Sequence, residues 1–345
     1  QPFVDLRAYM QQAWPHVFAA GEVELIDHSL LVTFSGSDPA LKPVMLMGHM
    51  DVVPVVPGTE DDWTHAPFSG QVDDAYIWGR GAVDMKDQVA GILEAVEYAL
   101  AHGWEHERTL LLAFGQDEET TQFGAGAIGR VLEERGVELE FLIDEGDYRI
   151  VPTAEYRPGA GRLMHAELAE KGTCAPTHIE GGSTGANVMP QDMWANINFR
   201  MLEGTSVADV VARCCVAVAE AGLADRVEIE LGPGSSEPSP SPRIGGPGLE
   251  AVRAIAARYF RDPKGTEENG SSAAGGAPIG IVPSTVIGAT DAANYQRICP
   301  ECIRFSAFVV DDDECERGVH GTNERITRRA YLQGVRFLIA LLQTL

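Results

Sequence analysis

The sequence has no long apolar run. Charged or turn residues interrupt every hydrophobic stretch before it reaches the roughly 18 to 20 residues that a bilayer crossing needs, which excludes a membrane-spanning helix. Positive charge is also scarce: 26 Lys and Arg face 51 Asp and Glu, a formal net charge of -25. Such acidity repels nucleic-acid phosphates and anionic membrane surfaces alike, so neither is an expected partner. Among the basic residues only Lys42, Lys86, Lys171 and Lys264 are lysine, a bias with no catalytic reading. The six cysteines lack framework spacing, which excludes a disulfide-stapled scaffold and fits a reducing, cytoplasmic compartment. Cys299 and Cys302 have zinc-knuckle spacing, but a structural site needs four ligands and only Cys315 lies near in sequence.

What is present is a globular chain. At 345 residues and 45% hydrophobic, it holds enough apolar material for one large or two moderate domains. Its start places Phe3, Leu6, Tyr9, Met10 and Trp14 at helical spacing, an amphipathic helix rather than a signal peptide. "PVMLM" (43–47), "TLLLAF" (109–114) and "EFLID" (140–144) are short apolar runs of the kind found in strands buried on both faces. Between the first two, Val89, Ile92, Leu93, Val96 and Leu100 mark a helix that Gly103 would stop; "GAGAIGRVLEERG" repeats the pattern between the second and third. Strand and helix alternating in this way predict an α/β fold, an open sheet with helices on both faces.

From about Met193 the pattern changes. "MWANINFRML" alternates strictly, as a half-exposed strand does, a helix follows over 207–221, and "RVEIEL" (226–231) reads as another strand. This segment predicts a small α+β domain. The turn-rich stretch 232–248 marks a boundary, after which the helix "EAVRAIAARYF", the strand "STVIGAT" and a helix from about Asn323 to Leu342 return to α/β style. The expected division is a first α/β part at 1–164, a small α+β domain at 165–234 and a second α/β part at 235–345.

In an open α/β sheet, ligands bind beyond the carboxyl ends of the strands. His49 and Asp51 follow the first buried strand; Asp117, Glu118 and Glu119 follow the second; Asp144 and Glu145 end the third. Asp84 and His320 each stand just before a helix. A lone His-x-Asp is more often a turn than a site, but three strands delivering imidazole and carboxylate to one edge is a stronger signal. Clustered carboxylates repel one another, and a cation is their natural compensation. Two histidines with three or more carboxylates suit zinc or another divalent ion of borderline preference. A rival reading is "GGSTG" (181–185), the G-x-S-x-G pattern of serine hydrolases, but that elbow needs a helix after the serine, and here Pro190 and an alternating strand follow Ser183.

"GHMDVVP", "W-x-x-x-PFSG", "WGRGAVDMK", "FGQDEET", "DEG" and "HGTNERI", in this order, resemble the two-zinc metallopeptidases that include carboxypeptidase S, aminoacylase and the N-acyl-amino-acid hydrolases. "EPSPS" (237–241) and "TDAANY" (290–295) are most similar to the carboxypeptidase S branch. The resemblance runs from about residue 3 to the C-terminus. It implies a zinc-peptidase-like catalytic domain with a lid, and two Zn2+ (Co2+ or Mn2+ as substitutes) per chain. One ion would be held by His49, Asp84 and Asp144, the other by Asp84, Glu119 and His320, with Glu145 a rival to Asp144. Asp51 would orient His49, and Glu118 would be the general base. Asn187 and Arg200 would hold the free carboxylate of a peptide or N-acyl amino acid, for which the planar fork of Arg is suited.

The chain departs from the family after "EKG" (170–172). Relatives continue with a strand, a turn bearing a histidine that reaches a neighbouring subunit's site, and helices; here the sequence passes directly to "TCAPTHIEGGS". His165 and His178 do not stand in the expected turn. Relatives are commonly dimeric through the absent segment, so a chain that lacks it is expected to be monomeric. The expected activity is hydrolysis of an amide bond next to a free carboxylate; the alternative is a metal-binding homologue impaired in catalysis.

Overall fold

The computed structural model describes residues 1–146, 173–182, 193–232, 235–238, 245–260, 290–308 and 319–345. The chain divides into two compact units, Gln1–Glu155 with Pro242–Leu345, and Tyr156–Ser241. In chain order the elements are α1 (Pro2–Ala13), α2 (Pro15–Ala20), β1 (Glu22–Ile26), β2 (Ser29–Phe34), β3 (Val44–His49), β4 (Tyr76–Trp78), α3 (Lys86–Ala101), β5 (Leu110–Gly115), α4 (Phe123–Glu134) and β6 (Phe141–Asp144). There follow β7 (Thr173–Gly181), β8 (Met193–Arg200), α5 (Val207–Glu220), α6 (Pro247–Tyr259), β9 (Cys302–Arg304), β10 (Arg325–Thr327) and α7 (Arg328–Leu342).

The first unit is built on a mixed six-stranded sheet in the order β1-β2-β5-β3-β6-β9. β5, β3, β6 and β9 run parallel, and β2 and β1 add an antiparallel edge. Every residue of β3, β5 and β6 is buried, which is why these segments read as continuous apolar runs. Alternate residues point to opposite faces. Leu46, Leu110, Leu112 and Phe114 pack with Ile92, Leu93 and Val96 of α3 and with Phe337 and Leu338 of α7. Met45, Met47, Leu111 and Ala113 pack on the other face with Ile128 and Leu132 of α4 and with Tyr295. The sheet is thus sandwiched by helices, as the sequence pattern predicts. α3 ends at Ala101, and Gly103 takes the left-handed φ of 74° that lets the chain turn away.

The second unit contains β7 paired antiparallel with β8, and α5. Ser206 and Asp209 cap α5 reciprocally, each side chain accepting from the other's backbone N–H. β8 is exposed on both faces with only Phe199 half-buried, rather than half-covered as its alternation predicts.

Two further expectations are corrected. "RVEIEL" is not a strand: Val227 and Leu231 are 43% and 62% exposed, and an alternating stretch becomes a strand only where an edge pairs with it. The final helix begins at Arg328, because β10 first pairs with β4 and the Thr327 hydroxyl then accepts the Ala330 N–H at 3.1 Å as an N-cap. Cys299 and Cys302 are buried free thiols. The 284–289 part of "STVIGAT", Ser183, Asn187 and His165 lie outside the described residues. Among the described residues no helix is long and apolar enough to cross a membrane.

Candidate metal centre

The parallel strands end together. His49 closes β3 level with Gly115, which closes β5, and Asp144 closes β6 next to Arg304 of β9. Side chains that leave these ends meet at one edge. His49 is 1% exposed, and its Nε2 lies 3.0 Å from Asp84 Oδ1. The other Asp84 oxygen, Oδ2, lies 2.8 Å from His320 Nε2. One carboxylate therefore spans two imidazoles with its two oxygens. Beyond it, Glu119 Oε2 lies 3.4 Å from His320 Nε2, and Glu145 Oε1 lies 4.0 Å from His49 Nε2. Two groups of potential ligand atoms result, His49–Asp84–Glu145 and Asp84–Glu119–His320, each drawn within 4.8 Å.

Glu145, not Asp144, joins His49 in these groups. Asp144 is the last strand residue; it points into the protein, where Oδ2 accepts the Ala292 N–H at 2.8 Å. Asp51 does more than face His49. Its Oδ1 lies 3.3 Å from His49 Nδ1, while Oδ1 and Oδ2 accept the backbone N–H groups of Glu118 and Glu119, each at 3.1 Å. The same carboxylate thus orients an imidazole and fixes the turn that presents two glutamates. Asp117 faces away from the groups and accepts the N–H of Phe123 and Gly124 at the start of α4. Glu118 is half-buried and not in either ligand group; its Oε1 accepts the Gln122 amide at 2.8 Å. Arg200, at the end of β8 in the second unit, is exposed.

The electrostatics ask for a cation. Burial, then the carboxylates of Glu119 and Asp144, lift the Glu118 pKa to about 7 against the opposing pull of His49. Burial raises Glu119 and Glu145 as well, with neighbouring carboxylates adding to the effect. Burial alone would discharge His49, yet Asp51, Asp84 and Glu145 outweigh it and push its pKa to about 12. Several of these carboxyls are raised together, and among the described residues Glu119 Oε1 is buried with no hydrogen-bond partner. Divalent ions fit this donor set, since imidazole with carboxylate is the mixture that zinc and similar ions take.

Sequence reading missed Arg80 and Glu324, which are buried beside the groups as an ion pair with Nη1 2.5 Å from Oε2. The available signal was their place inside the motifs that carry Asp84 and His320.

The sequence pattern of Peptidase family M20/M25/M40 matches residues 45–344. The chain is 25% identical to "Probable carboxypeptidase S-like 2" of Dictyostelium discoideum over 434 positions, which span 99% of this chain and 79% of that protein. It is 42% identical to "N-fatty-acyl-amino acid synthase/hydrolase PM20D1" of Mus musculus over 144 residues, 41% of this chain but 28% of that protein. The fold is similar to that of the M20 family metallo-carboxypeptidase Sso-CP2 from Sulfolobus solfataricus, with a TM-score of 0.69 at 16% identity over 99% of this chain and 93% of that one. Human carnosine dipeptidase 1 is similar at a TM-score of 0.60 and 16% identity, over 96% and 88% of the respective chains. With the family pattern running from β3 through α7 and taking in every residue of both ligand groups, the chain belongs to Peptidase family M20/M25/M40 and is a hydrolase.

Proposed function

We propose that the chain is a di-metal amidohydrolase of the carboxypeptidase or aminoacylase type, acting on peptides or N-acyl amino acids with a free carboxylate. The observation that carries this reading is the Asp84 carboxylate, which offers one oxygen to the side of His49 and the other to the side of His320. His49, Asp84 and Glu145 would hold one ion; Asp84, Glu119 and His320 would hold the other. Glu145 takes the place first expected for Asp144, whose buried contacts support a structural role. Zinc is the proposed ion, with Co2+ or Mn2+ as substitutes. Two such ions supply charge that polarises the scissile carbonyl and makes water a better nucleophile near neutral pH.

The remaining chemistry falls to the chain. Glu118, which stands outside both ligand groups with its carboxylate held by Gln122, can accept a proton from the attacking water and release it again. The oxygen of that water bonds to the carbonyl carbon, the C–N bond breaks, and the proton held by Glu118 passes to the departing amine. Gln122 and the Glu118 N–H bond to Asp51 hold the carboxylate in place through this exchange. Arg200 and Asn187 are proposed to bind the substrate carboxylate. The names of the relatives, carboxypeptidase S-like and N-fatty-acyl-amino acid synthase/hydrolase, support this substrate class. We assign 1–164 and 235–345 to catalysis and 165–234 to a shortened lid, and the free thiols favour a reducing, cytoplasmic setting.

The test is release of amino acid from dipeptides and N-acyl amino acids, run beside the same compounds with the carboxylate amidated. The free acids should be cleaved and the amidated forms left. Cleavage of neither by metal-loaded chain would favour the alternative, a metal-binding homologue impaired in catalysis.

A further inference from the structure

The loop that carries His320 and the turn that carries Asp84 are tied by a device that no ligand role requires. β10 pairs with β4, placing Arg325 opposite Trp78, and the Gly79 N–H donates to the Glu324 carbonyl at 3.0 Å. The two segments then run side by side. Glu324 is fully buried, with Oε1 accepting the N–H groups of Val83 at 2.9 Å and Asp84 at 3.2 Å. Its Oε2 lies 2.5 Å from Arg80 Nη1, and Arg80 Nη2 donates to the His320 carbonyl at 3.2 Å. Trp63 covers the guanidinium at 5.4 Å.

The backbone explains the need. His320 and Asn323 have φ of 61° and 65°, left-handed values uncommon outside glycine though His and Asn take them more readily than most, so contacts that fasten the loop help to hold this shape. Arg80 fastens the first through its carbonyl, and the Asn323 side chain accepts the Thr64 N–H at 2.6 Å. A planar guanidinium can hold a carboxylate with one nitrogen and a carbonyl with the other, whereas an ammonium cannot reproduce that fork.

We infer that Arg80 and Glu324 are a positioning pair that fixes the separation of Asp84 and His320. Glu324 sets the Asp84 backbone, Arg80 sets the His320 backbone, and the ion pair locks one to the other. The pair belongs to neither ligand group, and the inference rests on the metal-site reading above.

Zinc titration of the chelator-treated chain by calorimetry, with circular dichroism as the check on folding, tests this in wild type, Arg80→Lys and Glu324→Gln. The lysine keeps the charge opposite Glu324 but loses the second N–H. Affinity at Asp84–Glu119–His320 should fall about 10- to 100-fold, the range for lost support behind a ligand, with the other ion held as before. Glu324→Gln should weaken both ions, because Asp84 serves both groups. Folded variants that bind both ions as wild type does would overturn the inference, and so would an Arg80→Lys chain that loses its fold rather than its metal. If only Glu324→Gln fails to fold, the lysine variant decides alone. A wild-type chain that takes up no zinc would instead overturn the metal-site reading, and the pair's role with it.

Discussion

Glu118 and Glu119 are adjacent, yet the structure separates their surroundings. Glu119 reaches toward His320, whereas Glu118 lies in neither ligand group and is held by Gln122. Glu118→Gln should therefore keep metal content near wild type while turnover falls about 10²- to 10⁴-fold, because the amide cannot accept a proton. Elemental analysis alongside the rate would check both halves. Retained turnover would assign the base elsewhere, and lost metal would make Glu118 a ligand. In the second acid pair, too, only the second acid stands in a ligand group. Glu145→Ala should lower metal affinity, whereas Asp144→Ala should act chiefly on stability, since it removes the acceptor of the buried Ala292 N–H. Zinc titration and urea unfolding of the two variants should give reversed rankings. The sequence could not choose between these neighbours. Strand alternation sends Asp144 inward, and whether the following residue turns toward the ligands depends on where pairing stops, which composition does not encode.

At the scale of elements, the apolar runs of β3, β5 and β6 and the helical spacing of α3 were legible because burial on both faces leaves few alternatives. Ile92 of α3 is 1% exposed in the core that α3 shares with β3, β5 and α7. Ile92→Ala should cost about 2 to 5 kcal/mol, read as a lower urea midpoint with unchanged slope. A cost below about 1 kcal/mol would mean that the core closes around the gap. "RVEIEL" was misread because alternation reports a face, and a face makes a strand only beside a partner edge. β10 was absorbed into the terminal helix because three residues ahead of an N-cap carry too little pattern to be seen.

For the whole molecule, His49 and Glu119 were legible as candidate ligands because the parallel strands β3 and β5 bring their carboxyl ends to one edge, whereas Asp84 and His320, on segments joined to the antiparallel pair β4 and β10, were legible only through their motifs. The Arg80–Glu324 pair was not legible, since burial of a charge pair becomes visible only when its two segments, far apart in the chain, are seen side by side. The alignment with the Dictyostelium relative runs over 434 positions, more than the 345 residues of this chain, so that relative has positions with no counterpart here. The direct passage from "EKG" to "TCAPTH" is where the lid is proposed to be shortened. Light scattering of the metal-loaded chain should then give a monomer, and a stable dimer would show that assembly uses another surface.

The central claim is that Asp84 joins two ion sites. Elemental analysis of the purified, dialysed chain by mass spectrometry, set against Asp84→Ala, tests it most directly. The account predicts about two divalent ions per wild-type chain and a loss at both sites in the variant, because a single carboxylate serves His49 on one side and His320 on the other. A folded Asp84→Ala chain that keeps its full complement of metal would contradict it.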